Sequence, residues 1–197
     1  MKSEKLNLLF ILNCLGIGGA EKHTICLLNA LDPAKFKVSL AYLKDEEEAK
    51  EPDLLRTLID SNQIEGRIFC CEVKKKFDLK AVRTLTSHIN EDKIDVIVCA
   101  NTYPLLYGWL AGKLAKKEVR LVEIFHTTFL DSLKAELYFL LYRAFFFSCD
   151  MLVFVCQTQR EYWLSRKLRA RSDRVIYNGI DTNYFTDRFS LVEKMEV

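Results

Sequence analysis

Apolar runs of strand length alternate with amphipathic runs of helix length along nearly the whole chain. This alternation limits the fold more than any other feature. Strands are expected at 6–13 (LNLLFILN), 37–43 (KVSLAYL), 66–73 (GRIFCCEV), 94–101 (IDVIVCAN), 119–126 (VRLVEIFH), 150–156 (DMLVFVC) and 174–178 (RVIYN). Helices are expected at 20–31, 52–62, 78–93, 104–117, 135–149 and 158–168. Asp32-Pro33 stops the first helix, Asp78 suits an N-cap, and Pro52 and Pro104 suit first turns. A β-α-β-α order makes the strands parallel and joins them by right-handed crossovers. Strands that are continuously Val, Ile and Leu belong to a sheet covered on both faces. The expected fold class is therefore α/β: a Rossmann-like parallel sheet with helices on both faces.

The 197 residues suffice for one domain that buries roughly 70% of its unfolded surface. A net charge of +2 makes no demand for nucleic acid or for an acidic partner. Seven cysteines without a CxxC pair, most of them inside apolar runs, read as reduced core thiols of a cytosolic protein. With only three histidines besides, no metal site and no cofactor is expected. The run at 135–149 is the nearest to a membrane span, but Glu136 and Arg143 interrupt it. It reads as a buried helix, with contact to a membrane surface as the alternative. The acidic run 44–51 (KDEEEAKE) reads as a solvated loop.

The stretch NCLGIGGAEK, 13–22, follows the first strand. A charged start, an apolar core and small residues also describe a signal peptide. Removing it would delete the first strand of a regular alternation, and Glu4, Asn7 and Asn13 interrupt the pattern. As a loop it lies where open α/β sheets bind ligands, beyond the carboxyl ends of the strands. Gly16, Gly18 and Gly19 would free the backbone to approach a ligand, with the next helix's amides facing an anion. The spacing G-x-G-G-A-E fits neither the dinucleotide fingerprint nor the P-loop, and a tight turn with close helix packing explains it equally. Glu21 would repel an anion unless it turns away or caps the backbone.

Taken together, ILNCLGIGGAEKHTICLLNAL near the start and VFVCQTQREYWL…RVIYNGIDTNYF near the end resemble the amino-terminal domain of family 4 retaining glycosyltransferases, which have the GT-B fold. The resemblance runs from about residue 6 to 186. GGAE, NGID and EIFHTT carry it. It implies an acceptor-side domain at 1–186, and at 187–197 a linker or tail toward a carboxy-terminal donor-binding domain. It implies that Gly18 and Gly19 approach the donor diphosphate or the acceptor, and that His126 contacts the transferred sugar. It implies that Asn178 and Gly179 shape the crossover between domains. Asn101 and Thr102, ending the fourth strand, are acceptor-side candidates by position. His23 and His88 read as bystanders. Lys74, Lys75 and Lys76 read as a solvated loop or as a site for an anionic acceptor or lipid head group.

The implied partners are a nucleotide-sugar donor, a glycan or lipid acceptor, a donor-binding domain or subunit, and a peripheral membrane contact, with no nucleic acid. The implied location is cytoplasmic, including the inner face of the membrane. The family's paired-glutamate motif and basic diphosphate clamp are missing from these residues, so the chain alone is expected to be inactive. A non-catalytic binding or regulatory relative, and a flavodoxin-like nucleotide-binding domain, are the rival readings.

Overall fold

The strands are β1 (Leu6–Leu12), β2 (Phe36–Tyr42), β3 (Ile68–Cys70), β4 (Val96–Ala100), β5 (Arg120–Phe125), β6 (Met151–Phe154) and β7 (Asp173–Val175). Between them run α1 (Gly19–Ala30), α2 (Leu54–Thr57), α3 (Leu79–Glu91), α4 (Thr102–Leu114), α5 (Leu133–Phe147) and α6 (Gln157–Ser165). The computed structural model describes residues 5–16, 18–44, 54–60, 62, 64–130 and 133–179. All seven strands pair in parallel, in the order β3-β2-β1-β4-β5-β6-β7. The sequence order reverses between β1 and β4, which is the switch point of a doubly wound sheet.

Both faces of the sheet are covered. Phe10, Leu12 and Leu40 pack with Ile25 and Leu28 of α1 on one face. Leu9, Ile11 and Phe125 pack on the other with Leu85 of α3, Tyr107 of α4 and Phe146 of α5. Alternate residues of β1 therefore enter different cores, which is why its apolar run is unbroken. Trp163, Phe125, Phe146 and Phe154 are fully buried. Each large apolar side chain of this kind contributes roughly 1.5–3 kcal/mol.

Several boundaries differ from expectation for local reasons. The 66–73 run keeps its hydrogen bonds to β2, through Gly66 N–H to Val38 O and Val73 N–H to Leu43 O. Only Ile68–Cys70 remains a regular strand, because Glu72 turns left-handed at φ 52°. Asp78 caps α3 as expected, its carboxylate accepting from Lys80 N–H at 2.8 Å. The fourth helix starts two residues before Pro104, which leaves that proline at a position whose N–H has no helical acceptor anyway. The second helix is described only at Leu54–Thr57, and Pro52 lies outside the described residues. Most of the acidic run, 45–51, and the whole tail, 187–197, lie outside them too.

The amino ends of the strands are tied by two aspartates. Asp95 accepts from Asn7 N–H at 2.9 Å and from Lys117 Nζ at 2.8 Å. Asp150 accepts from Leu121 N–H at 2.8 Å and from Arg171 Nη1 at 2.8 Å. Each carboxylate thus closes the end of a strand ladder and meets a cation.

Candidate functional site at the carboxyl rim

The opposite rim is built from the residues that follow β1, β4 and β5. After β1, Gly16 is buried, and Gly18 N–H donates to its carbonyl at 2.9 Å. Gly18 caps α1 with φ −124° and ψ 154°, an extended conformation open to any residue. No described glycine has positive φ, so backbone freedom is not the reason for these glycines. At Gly18 a Cβ would collide with the carboxylate of Glu21, which folds back over the loop. At Gly19 a Cβ would meet nothing within 4 Å: the space in front of the helix is open. Glu21 neither turns away nor caps the backbone, as an anion at this end requires: its carboxylate lies over Gly18 and lines the rim, and α1 has no side-chain cap.

After β4, Asn101 caps α4 at φ 72° and ψ 165°, a region almost closed to residues other than glycine. Its N–H donates to Ile124 O at 3.2 Å, and its side-chain Oδ1 accepts from His126 N–H at 3.1 Å. The strained turn therefore fixes the residue that ends β5. From the far side, α6 grips the same segment. Gln159 Nε2 donates to Phe125 O at 2.8 Å and to Thr127 O at 2.9 Å, and Trp163 Nε1 donates to Thr127 O at 2.8 Å. Both carbonyls flanking His126 are held.

The ring of His126 is left without a partner. Its Nε2 is buried and makes no hydrogen bond among the described residues. Burial, and then the neighbouring His23, push its pKa down to about 4, so the ring is neutral near pH 7. His23, one turn into α1, stands edge-on to it with centroids 5.3 Å apart and planes at 68°. Burial lowers the pKa of His23 too, and its Nδ1 also lacks a partner. His23 is thus no bystander to the rim. His88 is: it stacks on Phe69 at 3.8 Å, near Asp92.

A cavity of about 450 Å³ lies at this rim, lined by Asn13, Glu21, Asn101, Thr102, Tyr103 and Thr127 among others; His126, His23 and the glycines of the first loop are not among its lining residues. The amino ends of α1 and α4 both reach this rim; the Glu21 carboxylate opposes the positive end of α1, and that of α4 has no acidic residue in its first turn. Tyr103 donates its hydroxyl to Lys76 O at 3.0 Å, and Lys44 Nζ lies 5.2 Å from the centre of its ring. The exposed Lys74, Lys75 and Lys76 are thereby moored beside the cavity's Tyr103 wall. Asn178 and Gly179 lie elsewhere. They are exposed, just past the edge strand β7, and are not brought to this cavity.

Glu123 went unread in the sequence. It is fully buried in β5, neither carboxylate oxygen makes a well-formed hydrogen bond, and burial raises its pKa well above the usual range against a smaller lowering by the nearby Asn101 N–H. It also raises the thiols of Cys99 and Cys149, which burial alone already pushes up. A lone carboxylate inside the apolar run VRLVEIF was the available signal. Among the described residues no group of three or more His, Cys, Asp or Glu is placed to hold a metal ion.

The model of Glycosyltransferase Family 4 matches residues 17–184. The chain belongs to that family. No match is found among curated proteins. The fold is similar to a sucrose-phosphate synthase from Thermosynechococcus elongatus, with TM-score 0.68, 17% identity, and coverage of 92% of this chain and 50% of that one. A glycosyltransferase from Rickettsia africae gives 0.69 at 15% identity, covering 98% of this chain and 48% of that one. A lipopolysaccharide outer core galactosyltransferase in its apo form gives 0.61 at 17%, covering 89% and 46%. The chain spans about half the length of each. The parallel sheet is thus a Rossmann-like half of the GT-B arrangement.

Proposed function

We propose that residues 1–186 are the acceptor-side domain of a retaining glycosyltransferase, and that 187–197 lead toward its donor-binding half. The enzyme would move a sugar from a nucleotide-sugar to a glycan, lipid or small-molecule acceptor in the cytoplasm. One observation carries this reading. A neutral imidazole with a free, buried Nε2 stands at the switch-point rim, held there on both sides by other residues.

Transfer forms a bond between the acceptor oxygen and the anomeric carbon as the bond to the diphosphate breaks. The acceptor proton passes to the departing diphosphate oxygen. In this reaction His126 hydrogen-bonds a hydroxyl of the transferred sugar and fixes its orientation. Thr102 and Asn101 face the acceptor. Gly19 leaves room for the diphosphate near the amino end of α1, where backbone N–H groups favour the charge that builds on it once the Glu21 carboxylate swings off Gly18. Asn178 and Gly179 lie where the chain would cross to the second domain. No paired carboxylates of the glycosidase kind are needed.

The test joins this chain to the donor-binding half of a family 4 enzyme and offers a panel of sugar nucleotides with candidate acceptors. Transfer by the joined protein, and none by the chain alone, is the expected result. Acceptor binding without turnover in any joined form would favour a non-catalytic relative instead.

A further inference from the structure

The main chain at His126 is clamped, and its ring is not. His126 N–H donates to Asn101 Oδ1 at 3.1 Å, and the carbonyls of Phe125 and Thr127 accept from Gln159 and Trp163. These bonds fix where the residue stands. They leave the plane of the imidazole open, because the last side-chain torsion of histidine is broad. Nε2 is buried without a partner among the described residues, so no hydrogen bond at that atom sets the plane.

Packing against His23 supplies what the hydrogen bonds lack. The two rings meet edge-on, 5.3 Å between centroids and 68° between planes, an arrangement that aromatic pairs prefer. His23 Nδ1 is buried without a partner as well, so that nitrogen does not tie the ring elsewhere. Burial lowers the pKa of both rings, and near pH 7 they meet uncharged. The helix beneath His23 is firm. Its next two residues, Thr24 and Ile25, are buried, and Thr24 Oγ1 donates to Ala20 O at 2.8 Å. Gly19 lies four residues before His23, on the same helical face, and helical side chains lean toward the amino end. The open space at Gly19 is therefore on the side toward which His23 leans.

We propose that His23 is a positioning residue for sugar transfer: its ring sets the plane of the His126 imidazole, and with it the direction in which Nε2 meets the transferred sugar. The inference rests on the role proposed above for His126. Direction matters because a hydrogen bond weakens steeply once its angle falls below about 120°. A sugar held at the wrong angle loses the alignment of its anomeric carbon with the acceptor oxygen, which lowers kcat more than it raises KM. A residue that acts by packing alone is replaceable by another ring. A residue that touches the sugar through its own nitrogens is not.

The test uses the whole chain with its three histidine rings labelled with carbon-13, the His126 signals being assigned through His126→Asn. Relaxation of those signals reports how far the ring moves. The parent should give an order parameter of about 0.85, His23→Ala one below about 0.6, and His23→Phe the parent's value. In the joined enzyme, His23→Ala should lose about tenfold in kcat with KM nearly unchanged, and His23→Phe should stay within about threefold of the parent. Alanine is the best helix former, so α1 should persist, and thermal melting checks it. His23→Gln is a second variant without a ring and should behave as His23→Ala does. A His126 ring as rigid in both ring-free variants as in the parent would overturn the proposal. So would a phenylalanine variant as slow as the alanine one, since that assigns the effect to the nitrogens of His23. No transfer by the joined parent would overturn the reading of the enzyme, whereas ring relaxation in the chain alone still supports or overturns what His23 does to His126.

Discussion

The two rims of the sheet are made from the same seven strands and treat most of their polar groups differently, although His88 Nδ1 and Asp92 Oδ2 at the amino rim are also buried without a hydrogen bond among the described residues. At the amino rim, Asp95 and Asp150 each meet a strand N–H and a cation. At the carboxyl rim, Asn13 Oδ1, His23 Nδ1 and His126 Nε2 are buried without a partner, and Asn101 is held at φ 72°. Buried polar atoms left unpaired cost about 1–3 kcal/mol each, and a backbone in the region of Asn101 costs about as much. One rim is built for stability. The other carries a cost that hydrogen bonds from water or a ligand would offset.

The contrast can be broken in several places. Asp150→Ala should cost about 2 kcal/mol, because it strands the Leu121 N–H, while the exposed Arg171 returns to solvent, and should leave transfer by the joined enzyme unchanged. Chemical denaturation and an activity assay check both halves, and a large loss of turnover would erase the division of labour between rims. The acid limb of stability should follow the two histidines. Their folded pKa values lie below the ordinary 6.5, with His126 at about 4. The unfolded chain therefore binds more protons between pH 6.5 and 4, and stability present above pH 6.5 is lost across that window. About 2 kcal/mol of this should disappear in His126→Asn, measured as a flatter curve of melting temperature against pH.

Asn101 offers a smaller and cleaner probe. Glycine relieves the backbone strain and alanine keeps it, while both remove the hydrogen bond to His126 N–H. Asn101→Gly should be more stable than Asn101→Ala by about 1–2 kcal/mol, and both should transfer poorly. Two variants of equal stability would show that the turn is not strained. Smallest is Gly19→Ala, whose methyl enters open space on a helical residue. A gain of about 0.5 kcal/mol, with weaker binding of sugar nucleotide to the joined enzyme, is expected.

Much of the architecture was legible because apolar runs of period two and of helical period are local signals. The strand β1 and the Asp78 cap appear where their residues demand them. The start of α4 was misplaced, since Pro104 is an obvious marker while the strained Asn101 turn three residues earlier depends on β5. His126 and Asn101 could be named from strand ends and from resemblance. The contact with His23 could not, because it joins a helix to a strand end across the fold. Nor could the grip of Gln159 and Trp163 on Thr127, which spans 32 and 36 residues of sequence. Conformational freedom was the wrong physical reason for Gly18 and Gly19: neither has positive φ, and the open space before Gly19 is what a larger residue would fill.

The most direct measurement is turnover of a sugar nucleotide by the joined enzyme with His126→Ala, run beside Asp150→Ala as the structural control. If the unpartnered imidazole at the carboxyl rim holds the transferred sugar, the histidine variant should lose at least about 100-fold in kcat/KM with little change in melting temperature, and the aspartate variant should do the reverse. Full turnover without the imidazole would contradict it.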